Sequence, residues 1–285
     1  MDNKKMKLAA IVIIYYPDIK DLQKNIFRYI DDIDKLLIWD NSPSDSQTYR
    51  IALDGYEDKV EVLTTGKNEF IAYPLNQAVK WCMENNFTHL LSMDQDSLFD
   101  VGEFKLYKNR VHKNLGNKNV IFGVNPNNKF RKQNDFLPVN WFITSGSIYD
   151  VNIINKLGGF REDYKIDCVD NEICYRTNLN GYRTVVDTKC HLNQIFGNHK
   201  KTIFGFTTLG YSPFRTYSIL CNHILLWKQY PQQIEKELKK EIVKEYFIYR
   251  FVKILLSENR KIDKSMALFY GFVDGIRGVR KNRFC

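Results

Sequence analysis

Short apolar runs alternate with segments whose apolar residues recur at helical spacing throughout the first half of the chain. Leu8–Tyr15 is almost unbroken, and Ile19, Leu22, Ile26, Ile30 and Ile33 follow three or four residues apart. A brief apolar run bounded by turn residues reads as a buried strand, and the i, i+3/i+4 pattern as the inner face of a helix. Leu36–Trp39, Val60–Leu63 and Leu90–Met93 repeat the strand pattern; Leu75, Ala78, Val79, Cys82 and Met83 mark a helix before the last of them. Such alternation predicts an α/β fold with a doubly wound, mostly parallel (mixed) sheet flanked by helices. Further strands are expected at Val120–Val124, Trp141–Thr144 and Tyr182–Val186. Between the last two, Asp170 is placed to cap a helix at its start and Gly181 to close it.

From Ser212 the pattern changes. Ser212-Pro213 combines an N-cap residue with proline at the first helical position and opens a helix through about Trp227. Beyond Tyr230-Pro231, the segment Gln232–Ser257 interleaves lysines and arginines with apolar residues, and Arg277–Arg283 adds more basic side chains. Residues 1–211 are therefore expected to form the α/β domain, and residues 212–285 a basic C-terminal helical appendage packed on it.

Composition sharpens this picture. The 285 residues are 44% hydrophobic, enough for a full core, which excludes a disordered chain. Leu8–Tyr16 is too short for a membrane span and lacks a cleavage pattern, so it is read as the first strand. The six cysteines (Cys82, Cys168, Cys174, Cys190, Cys221 and Cys285) form no C-x-x-C pair, which suggests a reduced, cytoplasmic protein. A formal charge of +9 calls for an anionic partner. The basic residues concentrate in the C-terminal third while carboxylates gather at strand ends. That separation suits an enzyme core with a basic docking region, facing an anionic membrane surface or an acceptor, and disfavours a nucleic-acid groove.

The candidate chemistry lies where one apolar run stops. In His89-Leu90-Leu91-Ser92-Met93-Asp94-Gln95-Asp96-Ser97 a buried strand ends in two carboxylates one residue apart. The carboxyl edge of an open α/β sheet is its usual ligand crevice. Two carboxylates there repel each other unless a cation intervenes, and Mg²⁺ or Mn²⁺ uses one or two carboxylates together with water and substrate phosphates. The chemical reading is a metal–diphosphate site. An isolated D-x-D is also a common solvated loop, so the choice depends on what accompanies it.

Four segments accompany it in order: Ile13-Ile14-Tyr15-Tyr16-Pro17 and Asp40-Asn41-Ser42 at strand ends, Ser145-Gly146-Ser147, and Asp167-Cys168-Val169-Asp170-Asn171-Glu172-Ile173-Cys174-Tyr175-Arg176, with His191 beyond. The series resembles glycosyltransferase family 2, in its rhamnosyltransferase-like branch, over about Ile11 to His191 and more faintly at Arg215. The resemblance implies a GT-A fold and an inverting, metal-dependent transfer of a sugar. The donor would be a nucleotide-diphosphate (dTDP- or UDP-) sugar and the acceptor a saccharide or lipid-linked saccharide in bacterial surface polysaccharide synthesis. It further implies a cytoplasmic protein, peripheral at the inner face of the plasma membrane. It assigns nucleotide-sugar binding to Tyr15, Asp40, Asn68, Asp94, Ser145 and Gly146. Metal ligation falls to Asp96, with Asp94 and His191, and the catalytic base to Asp170. Each also has an ordinary structural reading: Tyr15 as edge packing, Asp40 as a turn residue, His191 as a hydrogen-bonding histidine, Asp170 as a cap. Glu172 and Arg176, four apart on one helical face, are expected to pair, with Arg176 mainly structural. The family's N-x-G-x-A-x-A-x-N segment reads here Asn68-Glu69-Phe70-Ile71-Ala72-Tyr73-Pro74-Leu75-Asn76, with Phe70 and Pro74 replacing small residues.

Three rivals remain. A nucleotidyltransferase would carry a Gly-rich basic loop where Tyr15-Tyr16-Pro17-Asp18 stands, which argues against it. A non-enzymatic basic module for membrane or other anions, and a degenerate transferase with altered donor-pocket residues, are the alternatives.

Overall fold

The run Leu8–Ile14 forms β1, buried along nearly all of its length. A chain buried on both faces this way must sit at the centre of a sheet. The computed structural model describes residues 6–46, 51–126, 136–194, 200–201, 207–281 and 283–284. After β1 come α1 (Ile19–Ile26), β2 (Lys35–Asp40), β3 (Val60–Thr64), α2 (Ala72–Glu84) and β4 (His89–Asp94). Next are β5 (Ser97–Phe99), α3 (Glu103–Lys113), β6 (Asn119–Pro126), β7 (Phe136–Val139), β8 (Ser147–Asp150), α4 (Val151–Lys156), α5 (Val169–Leu179) and β9 (Arg183–Gln194). Two-residue strands β10 (Lys200–Lys201) and β11 (Thr207–Thr208) precede α6 (Pro213–Gln229), α7 (Lys236–Val243), α8 (Arg250–Ser257) and α9 (Lys261–Arg277).

The main sheet runs β3-β2-β1-β4-β8-β6-β9-β5, with β7 also paired to β9. The β1–β2, β1–β4, β2–β3 and β6–β9 pairs are parallel; β8 joins β4 and β6 antiparallel, as β5 and β7 join β9. The sheet is thus evenly mixed. It is a GT-A-type sheet, as the motif order implied. Trp141–Thr144 is not a strand: the chain there is irregular, and the strand forms later, at Ser147. Its apolar residues satisfy a strand pattern locally, but they pack as a loop; the Phe142 ring fills the space beside Gly123, where a Cβ would come within 2.2 Å of it.

The chain divides into two compact units, Met1–Lys165 with Asp170–Ile195, and Ile166–Val169 with Phe196–Cys285. The division falls nearer Ile195 than the expected 211, and it takes Ile166–Val169, which ends on the first residue of α5, into the second unit. In the first, Leu8, Ala10, Val12 and Ile14 meet Leu22, Ile26, Leu36 and Ile38 in one core.

In the second, α6 starts as its sequence predicts. Ser212 Oγ accepts the Arg215 N–H at 3.1 Å, with Pro213 in the first turn. The small residues Gly271 and Gly275 of α9 face α6 so closely that a Cβ at Gly271 would lie 2.6 Å from the Tyr217 carbonyl. The basic segment beyond Tyr230 is helical from Lys236 to Ser257, with a π-helical stretch at Lys244–Tyr249. Cys82, Cys168, Cys174, Cys190 and Cys221 are buried free thiols, whereas Cys285 lies outside the described residues. No helix among the described residues is long and apolar enough to cross a membrane.

Candidate active site

Strand register brings the first three motifs together. Ile14 of β1 lies opposite Asp40, the last residue of β2, and Ile13 opposite Asp94, the last residue of β4. Tyr15, Asp40 and Asp94 therefore emerge side by side at the carboxyl edge, as the strand-end reading requires. Tyr15 and Tyr16 are about half exposed and meet edge to face at 4.6 Å.

Hydrogen bonds fix this edge. Gln95 clamps Tyr15 with both halves of its amide: Oε1 accepts the Tyr15 N–H at 2.7 Å and Nε2 donates to its carbonyl at 3.2 Å. Asn25 Nδ2 donates to the Gln95 carbonyl at 2.8 Å, tying α1 to the same turn. Tyr16 has φ +46°, an unfavourable conformation for a side chain with a Cβ, and its N–H is held by Ser42 Oγ at 2.9 Å. Asp40 Oδ1 in turn accepts the Ser42 N–H at 2.8 Å. Asp40 is only 4% exposed, so part of its role is to hold that turn. The neighbouring Asn41 accepts from Trp39 Nε1 and the Glu69 N–H, both at 3.0 Å, and donates to the Phe70 carbonyl at 2.6 Å. Asn68 is exposed and accepts the Phe70 N–H at 2.8 Å, bridging its own turn. Phe70, which replaces the family glycine, sits at φ +62°, the conformation a glycine adopts without strain. Pro74 lies in the first turn of α2, where its missing N–H costs little.

Asp94, Asp96 and Asp170 form an electrostatic cluster. Burial pushes the Asp94 carboxyl up to about 7, reinforced by the charges of Asp96 and Asp170 and opposed by a 2.9 Å hydrogen bond from Gln194 Nε2. Burial also raises Asp96, which lines a cleft of about 440 Å³ with Asp18, Lys24, Gln95 and Gln194. Neither Asp94 nor Asp96 pairs with a cation among the described residues.

The donor set suits a hard divalent ion that completes its shell with phosphate oxygens and water. It does not form a cage: among the described residues no three His, Cys, Asp or Glu side chains gather around one point. His191 is therefore not brought to the aspartates as a third ligand. It lies on β9 opposite Asn125, with Nδ1 buried and unpartnered, while Gln194 reaches Asp94 instead. Alternation along β9 and the register shift between Val124 and Asn125 decide which side chain arrives.

Ser145 and Gly146 serve the site from behind. Ser145 is fully buried; its hydroxyl accepts the Asp94 N–H at 3.1 Å and donates to Ser97 Oγ at 2.8 Å, which commits it to bracing the D-x-D turn. Gly146 has φ +76°, and a Cβ there would lie 2.5 Å from Val124 Cγ2.

Asp170 is in the first turn of α5, which begins at Val169, so it is a helical residue and not the N-cap. Its side chain accepts the Asn171 N–H at 2.9 Å. Gly181, at φ +78°, follows the helix end as expected. The neighbouring acids are committed elsewhere. Glu172 is buried against Arg176 at 2.7 and 3.0 Å, and Arg176 also donates to the Leu157 and Gly159 carbonyls, a structural role. Asp167 is salt-bridged to Arg215 at 3.0 Å within the second unit. Gln95, Gln194 and Ser42 are the site residues not singled out from sequence. Gln95 and Ser42 lie inside recognised motifs, whereas Gln194 carries no local signal.

No protein-family model matches the chain. It is 20% identical over 302 residues to the dTDP-rhamnosyl transferase RfbF of Shigella flexneri, covering 95% of this chain and 96% of that protein. Among solved structures it resembles GalNAc-T7, determined with UDP, GalNAc and Mn²⁺, with a TM-score of 0.61 at 10% identity. That likeness covers 85% of this chain and 54% of GalNAc-T7, so the chain spans about half of that structure's length. It also resembles residues 1–349 of TarS from S. aureus, with a TM-score of 0.58 at 16% identity over 96% of this chain and 83% of that one. TarS has also been determined with UDP-GlcNAc, where the TM-score is 0.55. The fold is thus that of GT-A glycosyltransferases, and fold, motif order and relative together support a family-2-like glycosyltransferase.

Proposed function

We propose that the protein transfers a sugar from a nucleotide-diphosphate donor to a saccharide or lipid-linked saccharide, with inversion, and that a divalent ion assists. The observation that carries this reading is the carboxylate cluster of Asp94, Asp96 and Asp170 at the carboxyl edge of the sheet, where Asp94 and Asp96 form no ion pair among the described residues and their carboxyls are raised. Carboxylates gathered at a sheet edge, with raised carboxyls and no paired cation, are characteristic of a site that takes a cationic ligand. Asp96 and Asp94 would hold Mg²⁺ or Mn²⁺, which supplies neutralisation of the charge that develops on the leaving diphosphate. The exposed Tyr15 ring offers a face for the base, with its backbone held by Gln95 and the next residue, Tyr16, by Ser42. Asp40 and Asn68 line the nucleotide side of the same edge. Asp170 takes the proton of the acceptor hydroxyl as the new glycosidic bond forms and the bond to the diphosphate breaks. One displacement at the anomeric carbon inverts its configuration.

RfbF is named for a dTDP-sugar and TarS was determined with a UDP-sugar, so both bases are candidates here. A cytoplasmic protein, peripheral at the inner face of the plasma membrane in surface polysaccharide synthesis, suits a lipid-linked acceptor and the basic C-terminal unit. The test is a screen of dTDP- and UDP-sugars for release of nucleotide diphosphate, with Mg²⁺, Mn²⁺ or chelator. Metal-dependent release from one donor is expected. Absence of turnover and of binding with every donor would leave only a degenerate fold.

A further inference from the structure

Within the C-terminal unit, α8 and α9 bury charged side chains and expose large apolar ones. The inner side of α8 carries Arg250, 5% exposed, which donates to Glu258 at 2.9 Å and to Thr216 at 3.2 Å. Lys264 of α9 is likewise buried and donates to Glu258 at 2.7 Å. The outer side of α8 carries Phe251, Val252, Leu255 and Leu256, each close to half exposed, at the i, i+1, i+4, i+5 spacing of one face. On α9, Ile262, Met266, Phe269 and Ile276 are exposed at i, i+4, i+7 and i+14, again one face, while Ala267, Gly271 and Gly275 turn inward. In water, large apolar side chains go inside and charges outside. Ile254, Ala267 and Leu268 obey that order, but the exposed stripes on two successive helices break it, and such stripes mark a surface that meets an apolar phase.

Charge identifies that phase. Residues 207–285 hold fifteen Lys and Arg against seven Asp and Glu, which is nearly all of the chain's net +9. Exposed Lys244 precedes the α8 stripe, Arg260 and Lys261 lie between the stripes, and Arg277 follows Ile276. No acid occurs between Glu245 and Glu258, or between Asp263 and Asp274. A second copy on this face would set one strongly positive unit against another. A bilayer with anionic headgroups offers what both halves of the surface require, acyl chains for the stripes and negative charge for the bracket.

We propose that the outward faces of α8 and α9 insert into the headgroup–acyl boundary of an anionic membrane, with Lys244, Arg260, Lys261 and Arg277 at headgroup level. This rests on the peripheral-membrane reading given above and replaces attachment by charge alone with insertion by named apolar residues.

The test is flotation of the full chain with vesicles of phosphatidylcholine containing phosphatidylglycerol, and with phosphatidylcholine alone. Three proteins are compared: wild type, Phe251→Gln/Leu255→Gln/Phe269→Gln, and Lys244→Gln/Arg260→Gln/Lys261→Gln/Arg277→Gln. Circular dichroism and thermal melts serve as folding controls. Wild type is expected to float with the anionic vesicles. The apolar variant should lose roughly tenfold or more in partitioning, and the charge variant its preference for anionic lipid. A Phe269→Trp reporter, placed outside the catalytic edge, should shift its emission to the blue with vesicles. Flotation that depends on the basic residues but ignores the apolar ones, with no blue shift, overturns insertion and leaves charge-only attachment. Failure of wild type to float overturns the membrane reading itself. A concentration-dependent dimer abolished by the apolar variant assigns the face to a second copy and also overturns the proposal. None of these outcomes depends on sugar transfer, so failure of the transferase reading would show only in the donor screen.

Discussion

The two units of this chain leave different kinds of group exposed. In the sheet unit the buried charges are matched, Glu172 by Arg176 and Asp187 by Arg110, but the partly buried Asp94 and the exposed Asp96 at a strand end form no ion pair among the described residues. In the helical unit the buried charges are matched as well, Arg250 and Lys264 on Glu258 and Arg283 on Asp274, and it is the outer apolar side chains of α8 and α9 that stand exposed. A fold that matches its buried charges in both units, yet gathers carboxylates without an ion pair at the sheet edge, points to a ligand there. The unpaired groups, polar at the sheet edge and apolar on the helices, mark where each unit meets something else.

The largest expected effect breaks the sheet side of this comparison. Asp170→Asn keeps the shape and the hydrogen bond to the Asn171 N–H but cannot accept a proton, so transfer should fall by about 10²–10⁴-fold while donor affinity holds. Single-turnover kinetics and donor calorimetry separate the two quantities. Turnover close to wild type would move the base away from Asp170.

The next tests the matched charges. Arg250→Met leaves Glu258 buried with Lys264 and Thr208, and removing one partner of a buried ion group costs roughly 3–5 kcal/mol. Chemical denaturation should show that loss, and the double variant Arg250→Met/Glu258→Leu should recover part of it. A loss below about 1 kcal/mol would mean that the cluster is solvated in solution and the contrast with the sheet edge is false.

A smaller effect is expected where the two motif strands meet. Gln95→Leu removes both hydrogen bonds to the Tyr15 backbone, at about 1–3 kcal/mol for stranded polar groups. The cost should appear as weaker donor binding, whereas Gln95→Glu, which can still accept the Tyr15 N–H, should retain part of the affinity. If both variants bind donor like wild type, the clamp has no bearing on the site.

These contacts also show how far the sequence could be read. Strand ends, the Ser212 cap and the Glu172–Arg176 pair are local patterns, and each stands where its spacing predicts. Asp94 and Asp96 were evident for the same reason, since a carboxylate pair after an apolar run needs no partner to be noticed. Gln194 reaches Asp94 from one hundred residues away, through a register shift in β9, and no local pattern encodes that. His191 stands out in sequence as a candidate third ligand beside its ordinary hydrogen-bonding reading, but strand alternation and register decide which side chain arrives. Trp141–Thr144 read as a strand because four residues cannot distinguish a strand from an apolar loop. The basic segment Gln232–Ser257 was legible as a helix, but which of its faces turns outward depends on where Glu258 captures Arg250 and Lys264.

The smallest expected effect concerns acid. His223 stacks on Tyr246 at 5.4 Å, and burial holds its imidazole down at about 4 against an ordinary 6.5. The folded state binds this proton more weakly than the unfolded chain does. The contribution to stability is therefore fully present above about 6.5 and is lost as pH falls through 4. Thermal melts should fall more steeply over that window for wild type than for His223→Phe, which keeps the stack and cannot titrate. Parallel curves would show that His223 is solvated.

The central claim is that the carboxylate cluster at the sheet edge is a metal–diphosphate donor site. Calorimetric titration of UDP and dTDP into wild type and Asp96→Ala, each in Mn²⁺ and in chelator, tests it most directly. The account predicts that at least one nucleotide binds wild type in Mn²⁺, and that chelator and Asp96→Ala each weaken that binding by about tenfold or more. Equal affinity in all four titrations, or no binding of either nucleotide, would contradict it.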